Sequence, residues 1–106
     1  MKQTALRRFI TKCPRKLSKL KLAYITGATK GIGRSTAITF AKAGWDLILL
    51  SRNMELLEKL KAELSNTQSK INLVECDLSN SKEIEDCVGE SIKKFGCPSV
   101  LINNAG

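Results

Sequence analysis

The chain contains no histidine, and only one tyrosine and one tryptophan among its 106 residues. Without histidine, neither a Ser-His-Asp nor a Cys-His nucleophile system can be assembled from these residues. The four cysteines (Cys13, Cys76, Cys87 and Cys97) include no C-x-x-C pair, and with histidine absent too, zinc ligation is disfavoured and no metal ligand set is assigned. They read as small hydrophobes in a reducing compartment. No uninterrupted apolar run is longer than the four residues Leu47 to Leu50, far short of a bilayer span, so no transmembrane segment is expected. Acidic residues are also missing from residues 1–22, and that absence explains the charge of the whole chain.

The net charge is +8. Residues 1–22 hold eight basic side chains (Lys2, Arg7, Arg8, Lys12, Arg15, Lys16, Lys19 and Lys21), and the remaining chain has ten basic and ten acidic residues. The excess therefore belongs to a leader, and the rest offers no charge-based case for binding nucleic acid. Within the leader, Leu6, Phe9, Ile10, Cys13, Leu17 and Leu20 fall at helical spacing, interrupted by Pro14. Three readings stand: a basic extension, an organelle presequence, and a segment lying on an anionic membrane surface. A secretory signal is disfavoured because no apolar core follows the charges. The expected division is a basic leader over 1–20 and one small domain over 21–106, with a cytoplasmic location or, alternatively, organelle targeting through the leader.

At 42% hydrophobic the composition is that of a globular domain. Leu22 to Ile25 reads as a buried strand, Gly31 to Ala43 as a helix stopped by Gly44, and Asp46 to Ser51 as a second strand. Asn53 can cap a helix carrying Leu56, Leu57, Leu60 and Leu64 on one side, with Glu55–Lys59 and Lys59–Glu63 as i,i+4 pairs. Ile71 to Cys76 is a third strand. Asn80-x-x-Glu83 resembles a capping box ahead of Ile84, Cys87, Val88, Ile92 and Phe95. Gly96 and Pro98 end that helix, and Ser99 to Ile102 is a fourth strand. Alternation of this kind calls for a parallel sheet with right-handed crossovers, in the order 3-2-1-4. The fourth strand is then an unprotected edge, and one face of the sheet is expected to lack its helices.

Between the first strand and first helix lies "TGATKGIG". Gly27 can take a tight turn, Gly31 lets backbone approach a pyrophosphate, and Gly33 lets the helix pack closely on the sheet. The unpaired amides of the helix start then face the phosphates. The spacing Gly-x-x-x-Gly-x-Gly does not match a P-loop: Lys30 precedes the second glycine instead of following it, which argues against a nucleotide triphosphatase. Four motifs, "TGATKGIG", "LLSRN", "CDLS" and "LINNAG", stand in the order and spacing of the short-chain dehydrogenase/reductase family, over about residues 21–106. The glycine spacing resembles that of its single-domain subgroup. The resemblance implies an α/β fold: a Rossmann-like doubly wound parallel sheet, the N-terminal β-α-β-α-β-α-β half of a three-layer αβα sandwich.

An acid at the end of the second strand would accept from a ribose hydroxyl pair and repel a 2′-phosphate. Ser51 and Arg52 stand there instead. Arg52 can pair with a phosphate through its planar fork, Ser51 can add a hydroxyl donor, and Lys30 can reach the same group. The expected cofactor is NADP(H). Thr29 and Ile32 complete the loop's candidate contacts. By resemblance, Asp77 accepts from the adenine amino group, Leu78 supplies a backbone contact and an apolar wall, Asn103 borders the adenine ribose, and Ala105 leaves room for the cofactor. Asp77 can also act as a cap near Ser79 and Asn80.

In this family a serine and a Tyr-x-x-x-Lys pair, later in the chain, carry the chemistry. Here Tyr24 lies inside the first strand, Ala28 stands four residues on, and Ser99 is at the wrong end of its strand. No catalytic residue is assigned. The implied function is an NADP(H)-dependent oxidoreductase acting on a small-molecule carbonyl/alcohol pair, of which this chain is an N-terminal, cofactor-binding fragment inactive by itself. The alternative is a non-catalytic NADP-binding sensor. A methyltransferase-like domain is disfavoured by Ser51-Arg52. By resemblance the full-length protein is a homo-oligomer.

Overall fold

A computed structural model describes residues 21–103 apart from 78, and of residue 81 the backbone alone. The leader over 1–20, together with Leu78, Asn104 and Ala105, lies outside the described residues. Seven elements follow in alternation: β1 (Leu22–Thr26), α1 (Gly31–Lys42), β2 (Asp46–Ser51), α2 (Met54–Glu63), β3 (Ile71–Glu75), α3 (Ser81–Phe95) and β4 (Val100–Asn103). The strands form one parallel sheet in the order β3-β2-β1-β4. Every predicted element is present, with ends shifted by a residue or so.

Period-2 alternation sorts the strand side chains between two cores. On one face Ala23 and Ile25 of β1 and Leu47 and Leu49 of β2 meet Ala37 and Ala41 of α1 and Leu57 and Leu60 of α2. On the other, Leu22, Tyr24, Ile48 and Leu50 meet Ile84 and Val88 of α3. The expectation that one face lacks its helices is therefore corrected. The connection from β3 crosses to the far side of β1, and a right-handed crossover in that reversed direction lays α3 on the opposite face. Three layers result. The expectation of β4 as an edge strand holds, with its four residues half-buried.

Local chemistry sets the ends of the helices. Asn53 accepts from the Leu56 amide at 3.1 Å and starts α2. Asn80 accepts from the amides of Lys82 and Glu83 at 3.0 and 3.2 Å and starts α3. The expected capping box is only half formed. The Asn80 amide donates to the Asp77 carbonyl, and the Glu83 carboxylate instead accepts from the Asp77 amide. The i,i+4 pairs predicted for α2 also give way. Glu63 pairs with Arg34 of α1, so this acid ties two helices on the same face together instead of staying on its own helix. Exposed ion pairs are weak enough for packing to choose the partner.

Candidate functional site

Parallel strands bring all their C-terminal ends to one edge, and the register here makes those ends level. Thr26 stands opposite both Leu50 and Asn103, and Ser51 opposite Glu75. The turns that leave these ends hold the described candidate residues. Connections run outward from β1 to β2 to β3 and then return past β1 to β4. The crevice between β1 and β4 is thus the point where winding direction reverses, the usual ligand position in an open α/β sheet.

The glycine turn starts with Gly27 at φ 62°, its amide donating to the Leu50 carbonyl at 3.1 Å. Gly31 has φ 52°, a conformation that favours glycine, and a Cβ placed there would meet nothing within 4 Å. Gly33 differs. A Cβ on it would stand 2.2 Å from the Gly27 carbonyl oxygen, so hydrogen at that position allows α1 to press on the turn. Lys30 occupies the N-cap position in extended conformation without a side-chain cap, and the first turn of α1 holds no acid. The first amides of an α-helix have no partner within the helix. Thr29 is half-buried beside Lys30, and Ile32 is 77% exposed, a large apolar side chain presented at the mouth of the turn.

At the end of β2, Ser51 is buried and its hydroxyl oxygen accepts from the Asn53 amide at 3.2 Å, so its proton is still available to another acceptor. Arg52 follows, exposed. Among the described residues, neither Arg52 nor Lys30 forms an ion pair; Arg34 and Glu63 do. At the end of β3, Asp77 is half-buried, and its Oδ1 accepts from the amide and hydroxyl of Ser79 at 3.0 and 2.6 Å. That is the cap-like role. It leaves the adenine role implied by resemblance as a second use of the same carboxylate.

At the end of β4, Asn103 Oδ1 accepts from the Thr26 hydroxyl at 2.9 Å, while its Nδ2 is buried without a partner. Thr26 is the residue that the motifs did not single out. It is a fully buried polar residue closing an apolar strand, and that pattern was its available signal. Through its bond to Thr26, Asn103 links β4 to β1 by its side chain. Ser99, as expected, is at the opposite end, its hydroxyl donating to the Leu22 carbonyl at 3.2 Å. Tyr24 is fully buried and donates to the Gly96 carbonyl at 3.0 Å; burial pushes its pKa above the ordinary value. Cys76 and Cys87 are free thiols, and burial raises both. Cys97 is buried next to the turn that ends α3.

A level strand edge and a winding reversal, with an uncapped helix behind an open glycine turn, define a doubly wound α/β protein. Residues 21–106 match the family described as short chain dehydrogenase, and the chain belongs to that family. It is 40% identical over 87 residues to a farnesol dehydrogenase of Aedes aegypti, covering 81% of this chain and 36% of that enzyme. A sulfoacetaldehyde reductase of Chromohalobacter salexigens is 40% identical over 83 residues, covering 78% of this chain and 32% of the relative. Among solved structures, the L-sorbose reductase of Gluconobacter frateurii, complexed with NADPH and L-sorbose, is 35% identical with a TM-score of 0.75, covering 81% of this chain and 33% of that one. A short-chain dehydrogenase of Sphingobium yanoikuyae in complex with NADPH has 33% identity and a TM-score of 0.72, with 82% and 34% covered. The chain spans about a third of the length of these relatives. No helix among the described residues is long and apolar enough to cross a membrane.

Proposed function

We propose that this chain supplies the NADP(H)-binding portion of a carbonyl/alcohol oxidoreductase. The observation that carries this reading is an open, uncapped glycine turn facing a strand end that bears Ser51 and Arg52 in place of an acid. The NADPH complexes of the sorbose reductase and of the Sphingobium enzyme support it. The residues fit the cofactor: backbone space at Gly31, two exposed cations without ion-pair partners, and an unpartnered buried amide at Asn103.

In this reading the Gly27–Gly33 backbone takes the pyrophosphate, because the amides of the α1 start are free of side-chain caps. Ile32 covers the dinucleotide with an apolar surface. Arg52 grips the 2′-phosphate, Lys30 adds a second positive charge, and the Ser51 hydroxyl donates to a phosphate oxygen. Asp77 and Leu78 line the adenine. Asn103, held by Thr26, turns its unpartnered Nδ2 to the ribose, and Ala105 keeps the passage clear. The bound cofactor supplies the hydride. These 106 residues supply no proton relay to accompany it, since their one tyrosine is inside β1. Alone they bind cofactor without turnover. The buried tyrosine is equally compatible with a non-catalytic NADP sensor, and a carbonyl-panel assay of the whole protein separates the two.

Titrating NADPH and NADH against the protein and Arg52→Asp tests the site directly. A guanidinium–phosphate contact contributes about 1.5–3 kcal/mol, so the variant should lose at least about tenfold in NADPH affinity and improve NADH relative to it. An unchanged NADPH/NADH ratio removes Arg52 from the site. Turnover by residues 1–106 purified free of host reductases would overturn the claim that they only bind.

A further inference from the structure

Away from the glycine turn, the junction of β3 and α3 gathers three side chains that the cofactor reading does not use. Cys76 immediately follows β3, while Glu83 and Cys87 project from one side of α3, at i and i+4. One ligand atom from each, two sulfurs and a carboxylate oxygen, lie within 4.8 Å of one another. We infer that Cys76, Glu83 and Cys87 form a binding site for a thiophilic divalent cation of the zinc and cadmium class.

The geometry is close to what such an ion needs. Tetrahedral zinc with Zn–S bonds near 2.3 Å holds its sulfur ligands about 3.8 Å apart, so small side-chain rotations close the set. Neither thiol has a strong competing partner. Cys76 Sγ is 3.9 Å from the Glu83 carbonyl and Cys87 Sγ 3.8 Å from the Glu75 carbonyl, weak contacts for a thiol. The carboxylate is already oriented, because one of its oxygens accepts from the Asp77 amide and the other can face the ion. Ligands of a metal centre are normally fixed by hydrogen bonds of this kind.

The surroundings favour positive charge. Glu83 and Asp77 act on Cys76, and Glu83, Asp86 and Glu90 on Cys87, so a bound dication offsets a local excess of acid. Access is also present. Cys87 lines an open cleft of about 260 Å³ with Glu75, Glu90, Ser91, Lys94 and Phe95, while Cys76 is fully buried behind it. Two thiolates and one carboxylate leave a fourth position for water. Sulfur ligands select zinc or cadmium over magnesium or calcium. Binding replaces the two thiol protons by the ion and releases both to solvent. Bound there, the ion fastens β3 to α3 beside the Asp77 turn.

The test is a titration of the reduced protein with Cd²⁺ alone, following the near-ultraviolet sulfur-to-cadmium charge-transfer absorption. One equivalent should generate the band, and the Cys13→Ser/Cys97→Ser double variant should retain it. Cys76→Ser and Cys87→Ser should each abolish it, and Glu83→Gln, which keeps an acceptor for the Asp77 amide, should weaken binding by about tenfold. Far-ultraviolet circular dichroism checks that each variant is folded. Because Cys87 is only half-buried, Cys87→Ser carries the test if Cys76→Ser does not fold. No band at stoichiometric cadmium, or a band that survives Cys87→Ser, overturns the assignment. So does a band lost in the Cys13→Ser/Cys97→Ser variant.

Discussion

Two strand-to-helix turns on the same edge of the sheet, β1–α1 and β3–α3, have the same topology and opposite chemistry. The second is closed by its own side chains: Asn80 caps two amides of α3, Glu83 reaches back to the Asp77 amide, and Asp77 binds Ser79. In the first, Lys30 stands at the cap position with no side-chain bond and no acid follows in the first turn of α1, while two glycines take positive φ. A helix that forgoes its cap gives up about 1 kcal/mol. That loss is tolerable where an anion supplies the missing acceptor, which is the part the proposed function gives to the first of these two helix starts.

The largest effect should come from filling the contact that holds the open turn in place. Gly33→Ala drives a methyl group toward the Gly27 carbonyl oxygen, where the backbone leaves 2.2 Å. The expected loss is about 2–3 kcal/mol in denaturant unfolding, typical of overpacking, together with loss of NADPH binding. A variant as stable as the parent would show that α1 does not press on the turn.

Opening the closed turn should cost less. Asn80→Ala removes the acceptor of the Lys82 and Glu83 amides, and a loss of about 1 kcal/mol is expected from urea unfolding. No loss would mean that Glu83 alone is enough to fasten the start of α3.

Tyr24 ties β1, the strand that carries the open turn, to the far end of α3 through the Gly96 carbonyl. Burial raises its pKa above the ordinary 10.0, so the folded state retains the phenol proton where the unfolded chain loses it. Stability from this group is complete below about pH 10 and declines as pH rises beyond it. Tyr24→Phe should cost about 1 kcal/mol at neutral pH through the lost hydrogen bond. It should also flatten the alkaline limb of a stability–pH curve, and an unchanged limb would assign that slope to other groups.

The smallest expected effect comes from making the open turn resemble the closed one. Lys30→Asp gives α1 a side-chain cap and should raise stability by roughly 0.5 kcal/mol. The same carboxylate faces the phosphates, so NADPH affinity should fall as stability rises. If affinity is maintained, phosphate does not lie at this helix start.

The sequence by itself determined the elements, the order of the strands and the position of the glycine turn. These rest on short-range rules: apolar runs set the strands, helical spacing set the buried stripes, and Gly44 and Gly96 take positive φ, 87° and 97°, where their helices stop. Lys30, Ser51 and Arg52 could be placed on one edge of the sheet because parallel strands bring their C-terminal ends to the same side. What only tertiary structure decided were the pairings between residues distant in the chain. Glu63 meets Arg34 instead of Lys59, Glu83 serves the Asp77 amide instead of its own cap, and Asn103 is held by Thr26. Reversal of the winding sent α3 to the opposite face, where it covers Tyr24 and Ile48 and brings Cys87 beside Cys76. Side-chain partners of this kind are set by which elements pack together, and individual polar contacts of about 1 kcal/mol are too weak to be fixed by local spacing.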